Sequence, residues 1–203
     1  EKSFGKKFKD GDEFKGEQVI KAFTFPKIPV ICQDNTEIID LLTWGLIPYW
    51  VRDEITALEI RKKTFNARIE SVNDKPSYKH LIKNRKCLVI VDGFYEWQDL
   101  KGKKIPYFIK LKNKEVFTLA GLYDIWVNPS NGEKMKTFTI ITTRANPLLE
   151  NIHNTKKRMP VIIYENEKQD LWLKEEINDK LLELFTEPID DEIIDAIQLD
   201  KKI

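Results

Sequence analysis

The sequence predicts one α+β domain in which a mostly antiparallel β-sheet carries short flanking helices. Three observations predict it: apolar or alternating runs recur along the middle of the chain, turn-forming clusters separate them, and helical spacing is confined to short segments. Residues 86–91 are largely apolar and close at Asp92-Gly93, while 107–111, 116–122 and 138–143 alternate or run apolar. These are the expected central strands. Gly102 and the cluster Asn128-Pro129-Ser130-Asn131-Gly132 lie between strand candidates, where turns pair neighbours antiparallel. Residues 19–32 mix β-branched and aromatic residues with Pro26 and Pro29, which predicts an edge strand, because proline donates nothing to a ladder. Residues 41–48 predict a further strand end. Ile55 and Leu58 within 53–63, and Tyr78, Leu81 and Ile82 within 76–83, predict two short helices. From Glu167 onward, Leu171, Leu173, Leu181, Leu182, Leu184 and Phe185 recur among charges, as in two short amphipathic helices packed on the sheet's edge.

With 203 residues, 41% of them hydrophobic and 33% charged, the chain can bury a substantial core as a single domain. No internal repeat or low-complexity linker divides it. No apolar run approaches the length that spans a bilayer, and Glu1-Lys2-Ser3-Phe4-Gly5-Lys6-Lys7 lacks a signal-peptide apolar region, so a soluble, cytoplasmic protein is expected. Cys32 and Cys87 each sit in an apolar run and read as small buried hydrophobes rather than as a disulfide framework or metal cluster. With 34 basic against 33 acidic side chains, any phosphate-binding surface must come from local patterning.

Three stretches could carry chemistry. In Phe65-Asn66-Ala67-Arg68-Ile69-Glu70, extended geometry puts Asn66, Arg68 and Glu70 on one face. An Asn amide can polarise a carbonyl and a guanidinium can fork onto phosphate, although a surface strand with an ordinary Arg–Glu pair has the same spacing. In Val91-Asp92-Gly93-Phe94-Tyr95-Glu96-Trp97, a carboxylate stands among aromatics directly after an apolar run. Desolvation there would raise the Glu96 pKa toward the range useful for general acid catalysis. Trp97, with Trp44 and Trp50 of the Trp44-Gly45-Leu46-Ile47-Pro48-Tyr49-Trp50 segment, could stack on unpaired bases or belong to the core. The third stretch runs through Thr142-Thr143-Arg144-Ala145-Asn146-Pro147 to Ile152-His153-Asn154-Thr155-Lys156-Lys157-Arg158-Met159-Pro160, setting a proton-shuttling imidazole beside a basic loop. Two histidines without cysteine or carboxylate at ligand spacing make a poor metal site.

In chain order, the Trp44-Gly45 segment, Asn66-Ala67-Arg68, Asp92-Gly93-Phe94-Tyr95-Glu96-Trp97 and the residues from His153 to Pro160 resemble the SRAP family, the SOS-response-associated peptidase domain. The resemblance implies a curved, mostly antiparallel, barrel-like sheet and a monomer that senses abasic sites in single-stranded DNA without metal or cofactor. It also implies association with the nucleoid when bound to DNA. The family's nucleophile is a cysteine at position two. After the initiator Met is removed autoproteolytically, its α-amine and thiol condense with the ring-opened sugar aldehyde to give a thiazolidine crosslink. By the same resemblance, Asn66 positions and polarises the abasic sugar, Glu96 supplies and accepts protons, and His153 assists as a shuttle. Arg68, Trp44, Trp97, Thr142 and Arg158 contact DNA. The chain departs from the family pattern in three places. Glu1 opens it with neither Met nor a neighbouring cysteine, so a short N-terminal segment is expected to be missing. Lys21-Ala22-Phe23-Thr24-Phe25-Pro26 lacks the family's Asn-x-Ala-Pro. Asn154-Thr155-Lys156-Lys157 separate His153 from Arg158 by more than the usual spacing. Two other readings stand beside the crosslinking enzyme. One is a non-catalytic single-stranded DNA binding module, which a full-length start other than Met-Cys would support. The other is a peptidase acting on other proteins, which the lack of any Ser-His-Asp or internal Cys-His arrangement disfavours.

Overall fold

A computed structural model describes residues 3–14, 16, 19–174 and 178–200. After β1 (Lys7–Phe8), the chain forms β2 (Lys27–Cys32) and β3 (Asn35–Trp44), then α1 (Glu54–Arg61), which Asp53 caps by accepting from the Thr56 amide at 2.8 Å. The short β4 (Asn66–Arg68) precedes β5 (Lys86–Val91), and the hairpin β6 (Phe94–Leu100) and β7 (Lys103–Leu111) turns at Lys101-Gly102, where both residues have positive φ. The long pair β8 (Phe117–Val127) and β9 (Lys134–Arg144) leads to α2 (Pro147–Ile152), β10 (Arg158–Pro160) and β11 (Ile162–Ile163). Two helices, α3 (Asn166–Lys174) and α4 (Asp179–Thr186), and β12 (Ile194–Gln198) complete the described chain.

The strands β3, β2, β5, β8 and β9 pair in that order, and β9 returns to β3 through the parallel partners Thr43↔Thr137 and Trp44↔Phe138. Five strands thus close into a barrel, which removes their free edges. A second sheet, β12-β7-β6, packs beside it. Alternation along the barrel strands sorts residues into two cores. Ile31, Leu88, Ala120 and Ile141 join Trp172, Leu173 and Phe185 of the C-terminal helices, whereas Val30, Val89, Leu119 and Phe138 join Ile109, Leu111 and Ile194 of the second sheet. No described helix is long and apolar enough to cross a membrane.

The curved, mostly antiparallel sheet, both hairpin turns and the two C-terminal amphipathic helices are present where the pattern predicts them. Three expectations change. β2 is no edge strand, because closure gives it partners on both sides; Pro29 is tolerated since pairing with β5 spans only Val30 to Cys32. Residues 76–83 form successive turns rather than a helix, with Tyr78 and Leu81 amides bonded three residues back, although Tyr78, Leu81 and Ile82 are buried as their spacing demands. Residues 107–111 belong to the second sheet and not to the central one.

Candidate active site

Glu96 reaches its position because β6 leaves the barrel wall at Gly93 and runs back beside α2. The sheet and α2 are stitched together at this end: Gln98 Nε2 donates to Asn151 O at 3.0 Å, the Asp99 amide donates to Asn154 Oδ1 at 3.0 Å, and Asn154 Nδ2 donates to Asp99 O at 2.9 Å. The Glu96 side chain is only 18% exposed. Burial pushes its carboxyl up to about 7, against the opposing pull of the Trp97 backbone amide. Beside it stands His153, whose Nδ1 lies 3.5 Å from Glu96 Oε2 and 2.8 Å from the Arg158 carbonyl. A carbonyl only accepts, so Nδ1 carries the proton and the neutral ring's lone pair is on Nε2.

His153 is brought there by a built turn. Asn146 caps α2 through the Leu149 amide at 2.9 Å, and Pro147 fits the first helical turn, where its missing N–H costs nothing. His153 ends the helix, the Lys157 amide donates to His153 O at 2.8 Å, and Lys157 takes a left-handed φ of 52°. The residues between His153 and Arg158 make this turn, and the imidazole meets the Arg158 backbone.

A second cluster surrounds the Arg158 side chain. Its Nη1 and Nη2 fork onto the two Glu70 oxygens at 2.6 and 2.9 Å, and Nη2 also donates to Thr142 O at 2.6 Å. Partial burial would raise the Glu70 carboxyl, but it is held below its usual value by the Arg158 hydrogen bonds, its own backbone amide and the charges of Arg158 and Arg68. Glu70 therefore pairs chiefly with Arg158, not with the neighbouring Arg68 that the spacing suggested. Thr142 Oγ1 donates to Ala67 O at 3.3 Å, so β4, β9 and β10 are locked at one level.

Asn66 and Arg68 share the exposed face of β4, with Ala67 buried between them. Trp97 is exposed beside Glu96, whereas Trp44 is half-buried, donates Nε1–H to Phe65 O at 2.9 Å and stacks on Phe138. Trp44 is thus wall beneath Asn66, and Trp97 is open surface. His80 pairs with Asp124 at 3.2 Å. Cys32 and Cys87 are buried, and burial pushes the Cys32 thiol up to about 12, which leaves neither as a ready thiolate. The tie between Asn154 and Asp99 has no local sequence signal; only the fold brings the two together.

Comparison with known proteins places these features in context. The profile of the SOS response associated peptidase (SRAP) family matches residues 5–203. The chain is 43% identical over 161 residues to "Abasic site processing protein YoqW" of Bacillus subtilis, covering 78% of this chain and 67% of that protein. It is 36% identical over 151 residues to "Abasic site processing protein HMCES" of Gallus gallus, where the match spans 65% of this chain and 44% of the relative. A crystal structure of a Bacteroides thetaiotaomicron protein superposes with a TM-score of 0.91 at 37% identity, covering 98% of this chain and 86% of that one. By this match over nearly its whole length, the chain belongs to the SOS response associated peptidase (SRAP) family.

Proposed function

We propose that the protein processes abasic sites in single-stranded DNA by capturing the sugar aldehyde as a covalent thiazolidine. The observation that carries the reading is the contact between His153 and a Glu96 carboxyl that titrates at about 7. Carbonyl condensation needs a group that gives a proton and then takes one near neutral pH. The amine adds to the C1′ aldehyde of the opened sugar to give a carbinolamine. Glu96 protonates its hydroxyl, which leaves as water. The resulting iminium accepts the thiol sulfur, whose proton returns to the Glu96 carboxylate. Aldehyde plus aminothiol thus becomes thiazolidine plus water, and Glu96 ends as it began. His153, whose Nδ1–H lies beside Glu96, steadies the carboxylate between the two proton transfers, Asn66 holds the sugar oxygen, and Arg68 and Trp97 hold phosphate and base. Arg158, committed to Glu70 and Thr142, orients His153 through its carbonyl and supports the strand that bears Arg68.

The condensing amine and thiol must belong to one terminal cysteine, a role that the internal, buried Cys32 and Cys87 cannot fill. Removal of a preceding Met is hydrolysis of its peptide bond: water adds to the Met carbonyl, and the Glu96 carboxylate takes the water proton and delivers it to the departing amine as the C–N bond breaks. The relatives' names as abasic site processing proteins support this reading. The test is to express the complete gene product, establish its mature N-terminus by mass spectrometry and incubate it with single-stranded DNA bearing one abasic site. A denaturant-resistant shift that disappears when the terminal cysteine is replaced is the expected result. Binding without a shift, from a protein with an intact Cys terminus, would overturn the covalent step.

A further inference from the structure

Phe23 is 74% exposed, which is unusual for a phenylalanine on a short, tightly bonded turn. The turn around it is closed by hydrogen bonds. Residues Ala22–Thr24 form one 3-10 turn, the Thr24 and Phe25 amides donate to Lys21 O and Ala22 O at 3.1 and 2.9 Å, and Thr24 Oγ1 donates to Lys21 O at 2.8 Å. Phe25 adopts a left-handed φ of 52°, a costly conformation for a bulky side chain. That kink turns Phe25 inward, stacked on Phe65 and covered by the Arg61 guanidinium at 3.8 Å, while Phe23 is left facing out. Phe23 touches Phe65 edge to face at 5.0 Å. Phe65 is itself fixed, since its carbonyl accepts from Trp44 Nε1 at 2.9 Å and from the Ile140 amide at 3.0 Å, and it directly precedes Asn66.

We infer that Phe23 is a stacking platform for an unpaired base flanking the abasic site, an inference that rests on the proposed function. A ring seated on Phe65, the residue that precedes Asn66, and open over most of its surface offers a π-face that any base can use. The charge around it suits the same ligand. Residues 19–27 and 61–69 carry Lys21, Lys27, Arg61, Lys62, Lys63 and Arg68 and no carboxylate, a local excess of positive charge that favours a phosphate-bearing ligand.

The experiment uses the complete protein and a single-stranded oligonucleotide containing a tetrahydrofuran abasic analogue, which has no aldehyde to react, with 2-aminopurine on its 5′ or its 3′ side. Stacking on Phe23 should quench the fluorophore at one of the two flanks. Phe23→Leu keeps the apolar contact with Phe65 but has no π-face; it should abolish the quench, weaken binding on the order of tenfold and leave the salt slope and the thermal midpoint unchanged. Phe23→Tyr should restore both quench and affinity. A Phe23→Leu protein that binds and quenches like the parent overturns the platform and leaves the proposed function intact. Failure of the unaltered protein to bind the oligonucleotide overturns both.

Discussion

Glu96 is the residue whose behaviour pH should expose. Its carboxyl titrates at about 7 in the folded protein against an ordinary 4.5, because burial disfavours the charged form. As a proton donor it is competent below that value, so crosslinking limited by loss of water should slow as pH rises through about 7. Glu96→Gln should slow single-turnover crosslinking, remove this limb of the profile and leave DNA binding nearly unchanged; a profile identical to the parent's would remove Glu96 from proton transfer. The same shift links to stability. The folded state holds the proton between the two values and the unfolded state releases it, so the parent loses stability as pH rises across that window, by at most about 3 kcal/mol. Denaturant midpoints should therefore show Glu96→Gln gaining on the parent between pH 5 and 8, with no further change above. Arg68 calls for a different measurement. It lies exposed on β4 beside Asn66, and a lost phosphate contact appears in ionic-strength dependence. Arg68→Ala should weaken single-strand binding and lower the slope of log affinity against log salt by about one; an unchanged slope would take Arg68 off the DNA path.

At the scale of elements, the site is held by three short strand segments that could not pair stably alone. β4 and β10 each contribute three residues on either side of the end of β9, with Arg68 opposite Thr142 and Thr142 opposite Pro160. Arg158 spans the group, gripping Glu70 beyond β4 and Thr142 on β9, while its carbonyl orients His153. Lysine supplies a compact charge without the planar fork that matches the Glu70 carboxylate and reaches Thr142 O at the same time. Arg158→Ala should lower unfolding free energy by about 1–2 kcal/mol, discounted because Glu70 is partly exposed, and Arg158→Lys should recover little of it. Urea unfolding measures the cost. Crosslinking should fall more than DNA binding, because the segment that carries the Arg158 carbonyl loses its side-chain anchor to Glu70 and Thr142, which loosens the seat of His153 while Arg68 remains; equal loss in the two assays would make Arg158 a direct phosphate ligand instead.

Across the whole molecule, what was legible from the sequence follows the range of the forces involved. Gly102 and the 128–132 cluster mark their hairpins because turn chemistry is local, and Glu96 stands out because a carboxylate between aromatics after an apolar run is locally unusual. Barrel closure depends on two parallel residue pairs between β3 and β9, and the grip of Glu70 on Arg158 joins residues 88 apart, so no window of sequence contains either. The hairpin of β6 and β7 was readable, but its membership of a second sheet was not, because the break is made by one glycine. A Cβ on Gly93 would lie 2.6 Å from the Ile109 carbonyl, a backbone atom that cannot swing aside. Gly93→Ala must therefore shift β6 against β7, and it should cost about 1–3 kcal/mol as well as displacing Glu96. The far end of β6 offers a gentler perturbation. Asn154→Ala removes the reciprocal bonds to Asp99 at an exposed position, where little stability is at stake. It should leave the unfolding midpoint and DNA binding close to the parent values and slow crosslinking several-fold, because Glu96 stands on β6 and His153 at the end of α2, and the two meet only while β6 is tied to the turn after α2. If Asn154→Ala crosslinks at the parent rate while Gly93→Ala does not, the barrel junction alone sets the separation of the two groups, and the turn after α2 serves only to place His153.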